Sequence, residues 1–553
     1  MLVSYLALLL WASVAQWIDF MKPCSRKHWQ AAASSEVDVC TQIGLDLSGQ
    51  GGNAADMLTD SLAISIGGGG FALIRTPAGN SEVVDFREEA PAQAHRDLFD
   101  GRPDARVVTG LAVAVPGELR GLQTIHTRHG QLPWSDVVAP AVHLARRGFE
   151  VSADLVRFME GAIEGRDDFF LTEPWAEDFA PDGPRVTVGS TMTRHRYADT
   201  LEKIATLGAD VFYTGPMAQS MAGSVRDAGG ILTADDLSQY RVVIREPVEV
   251  SYRGFILRSC PSPAGGPVTL SILKTLEGFD PAAQAGFNVS CHRLNEAFRF
   301  GFGARTQLGD PRFTTEVRQR EEAILTDTYA TYVRSNIWDG TTRPRDVYNP
   351  SQQQITTSAG TTHLVAADHS GRTVSLTSTV NRYFGSHVMD NQTGVIFNCQ
   401  MQDFALPSAP RSPAGPPANE IHPGQRPLSS ASPLIIEYPN GTLFLSMGAA
   451  GGPKIITTLV QIIQHVLDGQ FSLVDALAAA RMHDSLTPNQ TLLEIPGYGT
   501  QGFSNETAEF LRSVGHQIGY IVPTKSAAHI VGWSADGRLE AAADPRHARG
   551  GAG

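Results

Sequence analysis

Two threonines and an asparagine fall where a hairpin would bring them together. The run Thr361-Thr362-His363-Leu364-Val365-Ala366-Ala367 leads into Asp368-His369-Ser370-Gly371, and Thr373-Val374-Ser375-Leu376-Thr377-Ser378-Thr379-Val380-Asn381 follows. The second run alternates polar with mostly apolar residues, the period of a strand. A three-residue loop His369-Ser370-Gly371, with glycine at the left-handed position, is a common hairpin connection. That register sets Thr361 opposite Thr379, and Asn381, two residues on, shares the face of Thr379. Two hydroxyls and a carboxamide then converge at one end of the hairpin. A hydroxyl is a weak nucleophile that acts in acyl transfer only beside a base. Taken alone, Gly-Thr-Thr entering a strand is ordinary β-propensity.

A second segment suits the same chemistry. Gly448-Ala449-Ala450-Gly451-Gly452-Pro453 follows the apolar strand Thr442 to Met447 and opens a helix carrying Ile455, Ile456, Leu459, Ile462, Ile463 and Val466. Pro453 fits the first helical turn and Gly469 the stop. Gly451 and Gly452 leave backbone N–H groups bare at a helix N-terminus, where an oxyanion can bind. A tight strand-to-helix turn that needs glycine explains the same residues. The run Gly67-Gly68-Gly69-Gly70 lacks the spacing and the following Lys-Ser/Thr of a phosphate loop, so it reads as close backbone packing. His363 and His483 read as structural. The five cysteines, Cys24, Cys40, Cys260, Cys291 and Cys399, show no metal-ligand spacing, and Cys399 reads as a small buried filler.

The elements that position these residues follow from periodicity. Residues from about Gly117 to Phe313 read mainly as helices, one between Pro116 and Gly130 and another starting near Ser135. Asn349-Pro350 and the polar stretch Ser351 to Gly360 read as an exposed loop, and strands begin at Thr361. Pro407 to Pro427 is rich in proline and glycine, hence a surface loop. Helices are expected around Val460 and over Leu473 to Arg481. The chain therefore divides into a helix-rich first part and a strand-rich second part.

Read together, the segments resemble the γ-glutamyltranspeptidase family over nearly the whole chain from Ala31. The resemblance is carried by Asp85-Phe86-Arg87-Glu88-Glu89-Ala90-Pro91, Val115-Pro116-Gly117-Glu118, Gly130-Gln131-Leu132-Pro133-Trp134 and Gly309-Asp310-Pro311-Arg312-Phe313. It continues in Thr361-Thr362-His363, Thr377 to Asn381, Asn398-Cys399-Gln400-Met401-Gln402-Asp403-Phe404, Arg426-Pro427-Leu428-Ser429-Ser430, Ala450-Gly451-Gly452 and Asp544-Pro545-Arg546. It implies an N-terminal-nucleophile hydrolase with a four-layer αββα core of mixed helices and strands. It also implies a precursor cut between Gly360 and Thr361 into a large subunit (21–360) and a small catalytic one (361–553) that stay associated. Thr361 is then the nucleophile and its own freed amine the base. Thr379 orients the Thr361 hydroxyl, and Gly451 and Gly452 take the oxyanion. Arg87, Ser429 and Ser430 are expected on the α-carboxylate of a γ-glutamyl group, and Asp403, Asn381 and Gln400 on its ammonium. Glutathione and other γ-glutamyl compounds are the implied donors, and water, amino acids or dipeptides the acceptors, with no cofactor and no metal.

Gln402 stands where the family commonly has an acid, the segment between Asp56 and Ile66 is shorter than usual, and the C-terminus lacks the usual tail. A related acylase of the same fold and an uncleaved non-catalytic homologue are the rival readings. The apolar stretch Leu2 to Val14 suggests a signal peptide or membrane anchor over residues 1–20 and a secreted, vacuolar or membrane-anchored protein with its catalytic domain outside the cytoplasm. Five Asn-x-Ser/Thr sequons, beginning at Asn288, Asn391, Asn440, Asn489 and Asn505, fit that route. A net charge of −13 without a basic run argues against nucleic-acid binding.

Overall fold

The hairpin around Gly371 forms in the expected register and lies in the middle of a seven-stranded sheet. The computed structural model describes residues 31–57, 66–279, 286–350, 360–405, 417–534, 537–547 and 549–553. The strands of its two large sheets are, in chain order, β1 (Ala31–Ser35), β2 (Gly69–Arg75), β3 (Ser81–Phe86), β4 (Val243–Arg245), β5 (Val248–Tyr252) and β6 (Phe255–Ser259). They continue as β7 (Thr361–Asp368), β8 (Thr373–Thr379), β9 (Leu434–Glu437), β10 (Leu443–Ala450), β11 (Ala527–Trp533), β12 (Leu539–Ala543) and β13 (Gly551–Ala552). One sheet is ordered β13-β1-β7-β8-β2-β3-β4 and the other β12-β11-β10-β9-β6-β5.

The two sheets meet face to face. Phe71, Leu73 and Val83 of the first pack on Ile435 and Leu443 of the second, and Ala32, Val365 and Ala367 pack on Val531. Helices cover both outer faces. On the first sheet, Ala72, Val84, Val374 and Leu376 bury Leu119, Val138 and Leu201 from helices α1 (Glu118–His129), α2 (Trp134–Arg147) and α3 (His195–Leu207). On the second, Ile436, Leu445 and Met447 bury Leu273, Phe298 and Ile456 from α4 (Gly266–Glu277), α5 (Phe287–Arg305) and α6 (Lys454–Leu467). This is the expected four-layer αββα arrangement; α1 begins and ends within a residue or two of the expected limits, and α2 begins within a residue of the expected start.

The division into a helical and a strand-rich part does not hold. Strands β1 to β6 precede Gly360, and they supply members of both sheets. The β7–β8 hairpin is inserted between β1 and β2. Strand β8 also differs from a half-exposed amphipathic strand, since every residue in it is buried. Its polar face lies inside the sandwich, where each hydroxyl finds a partner, as buried polar groups must. Thr373 Oγ1 donates to Ala366 O at 2.9 Å, Ser375 Oγ donates to Met447 O at 2.8 Å, and Thr377 Oγ1 meets His363 Nδ1 at 2.9 Å.

The glycine run before β2 packs as expected. A Cβ on Gly68 would lie 2.2 Å from Thr379 O, and one on Gly70 2.0 Å from Thr377 O. The stretch ending at Pro427 is not a surface loop in its described half. Arg426 is fully buried and its guanidinium lies 2.6 Å from Asp85 Oδ1. Proline and glycine mark irregular backbone there, not exposure. The C-terminus is built in as well, because Gly551 and Ala552 pair with Ser35 and Ser34 of β1. Among the described residues no helix is long and apolar enough to cross a membrane. Residues 1–20, Cys24, residues 351–359 and most of the shortened 56–66 segment lie outside the described residues.

Candidate active site

The end of the hairpin brings Thr361 and Thr379 together as cross-strand partners. Because the pair shares a face with Thr377 and Ser375, both side chains point towards the second sheet. Thr379 donates its hydroxyl proton to Gly360 O at 2.5 Å and accepts from Asn381 N–H at 2.8 Å. In the cut enzyme Thr379 is expected to hydrogen-bond to the Thr361 hydroxyl. With the Gly360–Thr361 bond intact, the carbonyl takes the Thr379 proton instead. Asn381 holds a φ of +79°, a left-handed conformation that asparagine tolerates better than most residues. The bend turns its carboxamide away from the strand.

Asn381 and Gln400 converge on Asp403. Asn381 Nδ2 donates to Asp403 Oδ1 at 3.2 Å and to Cys399 O at 3.0 Å, while Gln400 Nε2 donates to Asp403 Oδ2 at 3.0 Å. Both amides thereby turn their N–H groups to the carboxylate. Asn381 Oδ1 and Gln400 Oε1 are left buried with no hydrogen-bond partner among the described residues. A buried acceptor without a donor is costly, on the order of 1–3 kcal/mol. Two of them beside one carboxylate form an acceptor set for a cation that carries several N–H donors.

Arg87 joins the same cluster in a way no local pattern indicated. It is 1% exposed and pairs directly with Asp403, Nη2 to Oδ2 at 2.6 Å, while Nε donates to Pro427 O at 3.1 Å. The contact to Pro427 fixes the chain just ahead of Ser429 and Ser430, both buried. Ser429 Oγ accepts from Ala431 N–H at 3.0 Å, which leaves its own proton free to donate. Two further arginines surround Asp403, and neither was singled out from the sequence. Arg106 Nη2 donates to Gln402 O and Phe404 O on either side of it, at 2.7 and 2.5 Å. Arg305, at the end of α5, is buried with its Nε unpartnered, and burial pulls its guanidinium down to about 10 despite the attraction of Asp403.

Burial disfavours the charged form of two acids in the motifs. Burial raises Glu88 to about 7 against the pull of Arg87, and raises Glu118 to about 8 although Ser378 donates to it. Three arginines, Arg87, Arg106 and Arg305, act on Asp403, an arrangement that suits a second carboxylate supplied by a ligand.

The second sheet delivers the glycines to the same end. Ser375 bonds Met447 O, and the His363 ring, paired with Thr377, lies against Gly448. Moving forward along β10 therefore matches moving forward along β8, towards Thr379. Gly451 and Gly452, with φ of +128° and +61°, follow at the start of α6. Among the described residues their N–H groups have no acceptor. His363 is neutral and buried, and His483 bonds Thr457 Oγ1 at 2.9 Å, so both are structural. Burial pushes the Cys399 thiol up to about 12, which makes it inert at neutral pH.

A sequence model described as Gamma-glutamyltranspeptidase matches residues 40–553. The chain is 41% identical over 530 residues to a protein of Aspergillus flavus named glutathione hydrolase, covering 93% of this chain and 88% of that one. It is 41% identical over 550 residues to a glutathione hydrolase proenzyme of Arthroderma benhamiae, covering 94% and 92%. Its fold matches the crystal structure of cephalosporin acylase from Bacillus halodurans with a TM-score of 0.82, at 24% identity, over 96% of this chain and 98% of the other. A match that spans the hairpin, the Asp403 cluster and the glycine turn alike makes this chain a member of the γ-glutamyltranspeptidase family.

Proposed function

We propose that this protein is a self-processed γ-glutamyltranspeptidase and glutathione hydrolase. Thr361 Oγ attacks the Gly360 carbonyl, the bond to nitrogen breaks as the ester forms, and water releases chains 21–360 and 361–553. Cleavage creates an α-amine on Thr361 with a reference pKa of about 7.7–8.0, close enough to neutrality to accept the hydroxyl proton in later turnovers. In turnover, Thr361 Oγ adds to the γ-carbonyl of the donor, the Gly451 and Gly452 N–H groups hold the oxyanion, and the amine leaves with a proton. Water, or the amine of an amino acid or dipeptide, then takes the γ-glutamyl group from the ester.

The observation that carries this reading is the pair of unpartnered acceptors, Asn381 Oδ1 and Gln400 Oε1, beside Asp403 and Arg87. An α-ammonium satisfies the acceptors, and an α-carboxylate takes the remaining donors of Arg87, Arg305 and Ser429. The test is N-terminal sequencing of the smaller chain together with turnover of a γ-glutamyl anilide. Wild type yields a chain beginning at Thr361 and an active enzyme, and Thr361→Ala stays whole and inactive. An intact wild-type chain that still releases glutamate, or normal cutting of Thr361→Ala, defeats the mechanism.

A further inference from the structure

Asn381 is followed by an arginine whose partner is uncharged. Arg382 is half-buried, and its Nε donates to Gln402 Oε1 at 2.9 Å. Among the described residues it makes no ion pair, although the chain has a surplus of acids and its neighbours are matched: Arg87 with Asp403, Arg157 with Asp154. An acid at position 402 would pair with Arg382, whereas Gln402 carries no charge. The amide accepts one hydrogen bond and leaves the charge unmatched, with no partner for either η nitrogen among the described residues. Gln402 therefore faces Arg382 and not the ammonium acceptors on Asp403.

The position is next to the reacting bond. A Cβ on Gly360 would fall 2.7 Å from the Arg382 carbonyl carbon and 2.9 Å from its Cα, so the arginine backbone lies against Gly360. Asn381, one residue earlier, reaches Asp403. The residues that follow form an apolar wall beside it. Tyr383 stacks on Phe158 at 4.8 Å, and His387 stacks on Phe169 at 4.2 Å. A second arginine, Arg166, is exposed beyond this wall and also has no ion pair among the described residues. His387 adds no charge, because burial and then Arg166 hold it down to about 4.

We infer that Arg382, left unneutralised by Gln402, binds a carboxylate on the leaving or accepting amine and so selects amines that are themselves amino acids or short peptides. The inference rests on the proposed function above and assigns specificity at that site. The planar fork of an arginine pairs with both oxygens of a carboxylate, which makes the contact directional as well as charged.

Two anilides differing in one group test it: γ-glutamyl-4-nitroanilide and γ-glutamyl-3-carboxy-4-nitroanilide. The readout is the ratio of their kcat/KM values, carboxylated over plain, so that loss of folded enzyme cancels. Arg382→Gln is expected to lower the ratio about tenfold or more, the range of a hydrogen bond to a charged group. Gln402→Glu supplies the missing acid, leaves the arginine in place, and is expected to lower the ratio in the same direction. Arg382→Lys recovers part of it. A wild type that turns over both anilides, with a ratio indifferent to Arg382→Gln and Gln402→Glu, overturns the inference and leaves the proposed function standing. Equal losses on both anilides in Arg382→Gln likewise overturn it, because they mark a structural role. Turnover of neither anilide by wild type sinks the proposed function and this inference with it.

Discussion

Replacing Thr379 by valine keeps the shape of the side chain and removes one hydroxyl. That hydroxyl donates to Gly360 O at 2.5 Å and is itself held by Asn381 N–H at 2.8 Å. When Thr361 Oγ adds to the Gly360 carbonyl carbon, negative charge develops on the oxygen that Thr379 already faces. A donor aimed there before reaction costs no reorganisation during it. Losing one such donor raises the barrier by about 2.7–4 kcal/mol, roughly 10²- to 10³-fold in rate. The ground state loses less. Asn381 N–H is left without its acceptor, at a cost of about 1–3 kcal/mol in a buried strand end. The assay follows newly made protein on a denaturing gel, timing the loss of the full-length band and the rise of two fragments, with thermal unfolding measured in parallel. Thr379→Val should cut roughly 10²- to 10³-fold more slowly while still folding, and Thr379→Ser should cut at close to the wild-type rate. Cutting of the valine variant at the wild-type rate would show that Thr379 does not serve the bond, and equal slowing in the serine variant would move its role from the hydroxyl to packing.

Two further outcomes can be checked with the mature enzyme. Gln400→Met removes the acceptor Oε1 beside Asp403. KM for a γ-glutamyl anilide should rise about tenfold or more, with little change for the glutaryl anilide that lacks the ammonium. Glu118, raised by burial to about 8, binds its proton more tightly folded than unfolded. Its contribution to stability is full below its unfolded value of about 4.3 and is lost as pH rises to about 8. Glu118→Gln should therefore flatten the fall in melting temperature over that window, and an unchanged slope would refute the assignment.

What was legible in the sequence was local. The loop His369 to Gly371 sets the hairpin register through its own length and one glycine, so the pairing of Thr361 with Thr379 needed no tertiary information. Helix α1 was bounded by Pro116 and Gly130 for the same reason. What depended on distant partners was not legible. Arg87 and Asp403 lie 316 positions apart, and the guanidinium that pairs with Asp403 is also held by the carbonyls of Pro427 and Leu428. Nothing near Arg305 distinguishes it from other arginines on a helix, and its place near Asp403 emerges only when α5 packs on the second sheet. The hydroxyl face of β8 has the pattern of a solvent face, yet the second sheet covers it. A period-two pattern reports which residues share a side but not what lies on that side.

The charges of the site favour a zwitterion over either ion alone. Asp403 pairs with Arg87 and attracts Arg106 and Arg305, while burial disfavours charge on Glu88 and Glu118. A ligand carboxylate alone would neutralise spare positive charge but leave Asn381 Oδ1 and Gln400 Oε1 unpaired in a desolvated site. A lone ammonium would satisfy those oxygens and add to the excess of cations. The amino-acid end of a γ-glutamyl group brings one of each and no net charge, so the two carboxamide oxygens and Arg87 can gain partners without a new unpaired ion. A site built around hydrogen bonds rejects an analogue lacking the matching group by roughly 10⁴-fold, far more than an apolar pocket rejects a missing methylene. On the proposed reading, selection for a free α-amino acid would follow from two carboxamides that turn their nitrogens to Asp403 and leave their oxygens without a partner among the described residues.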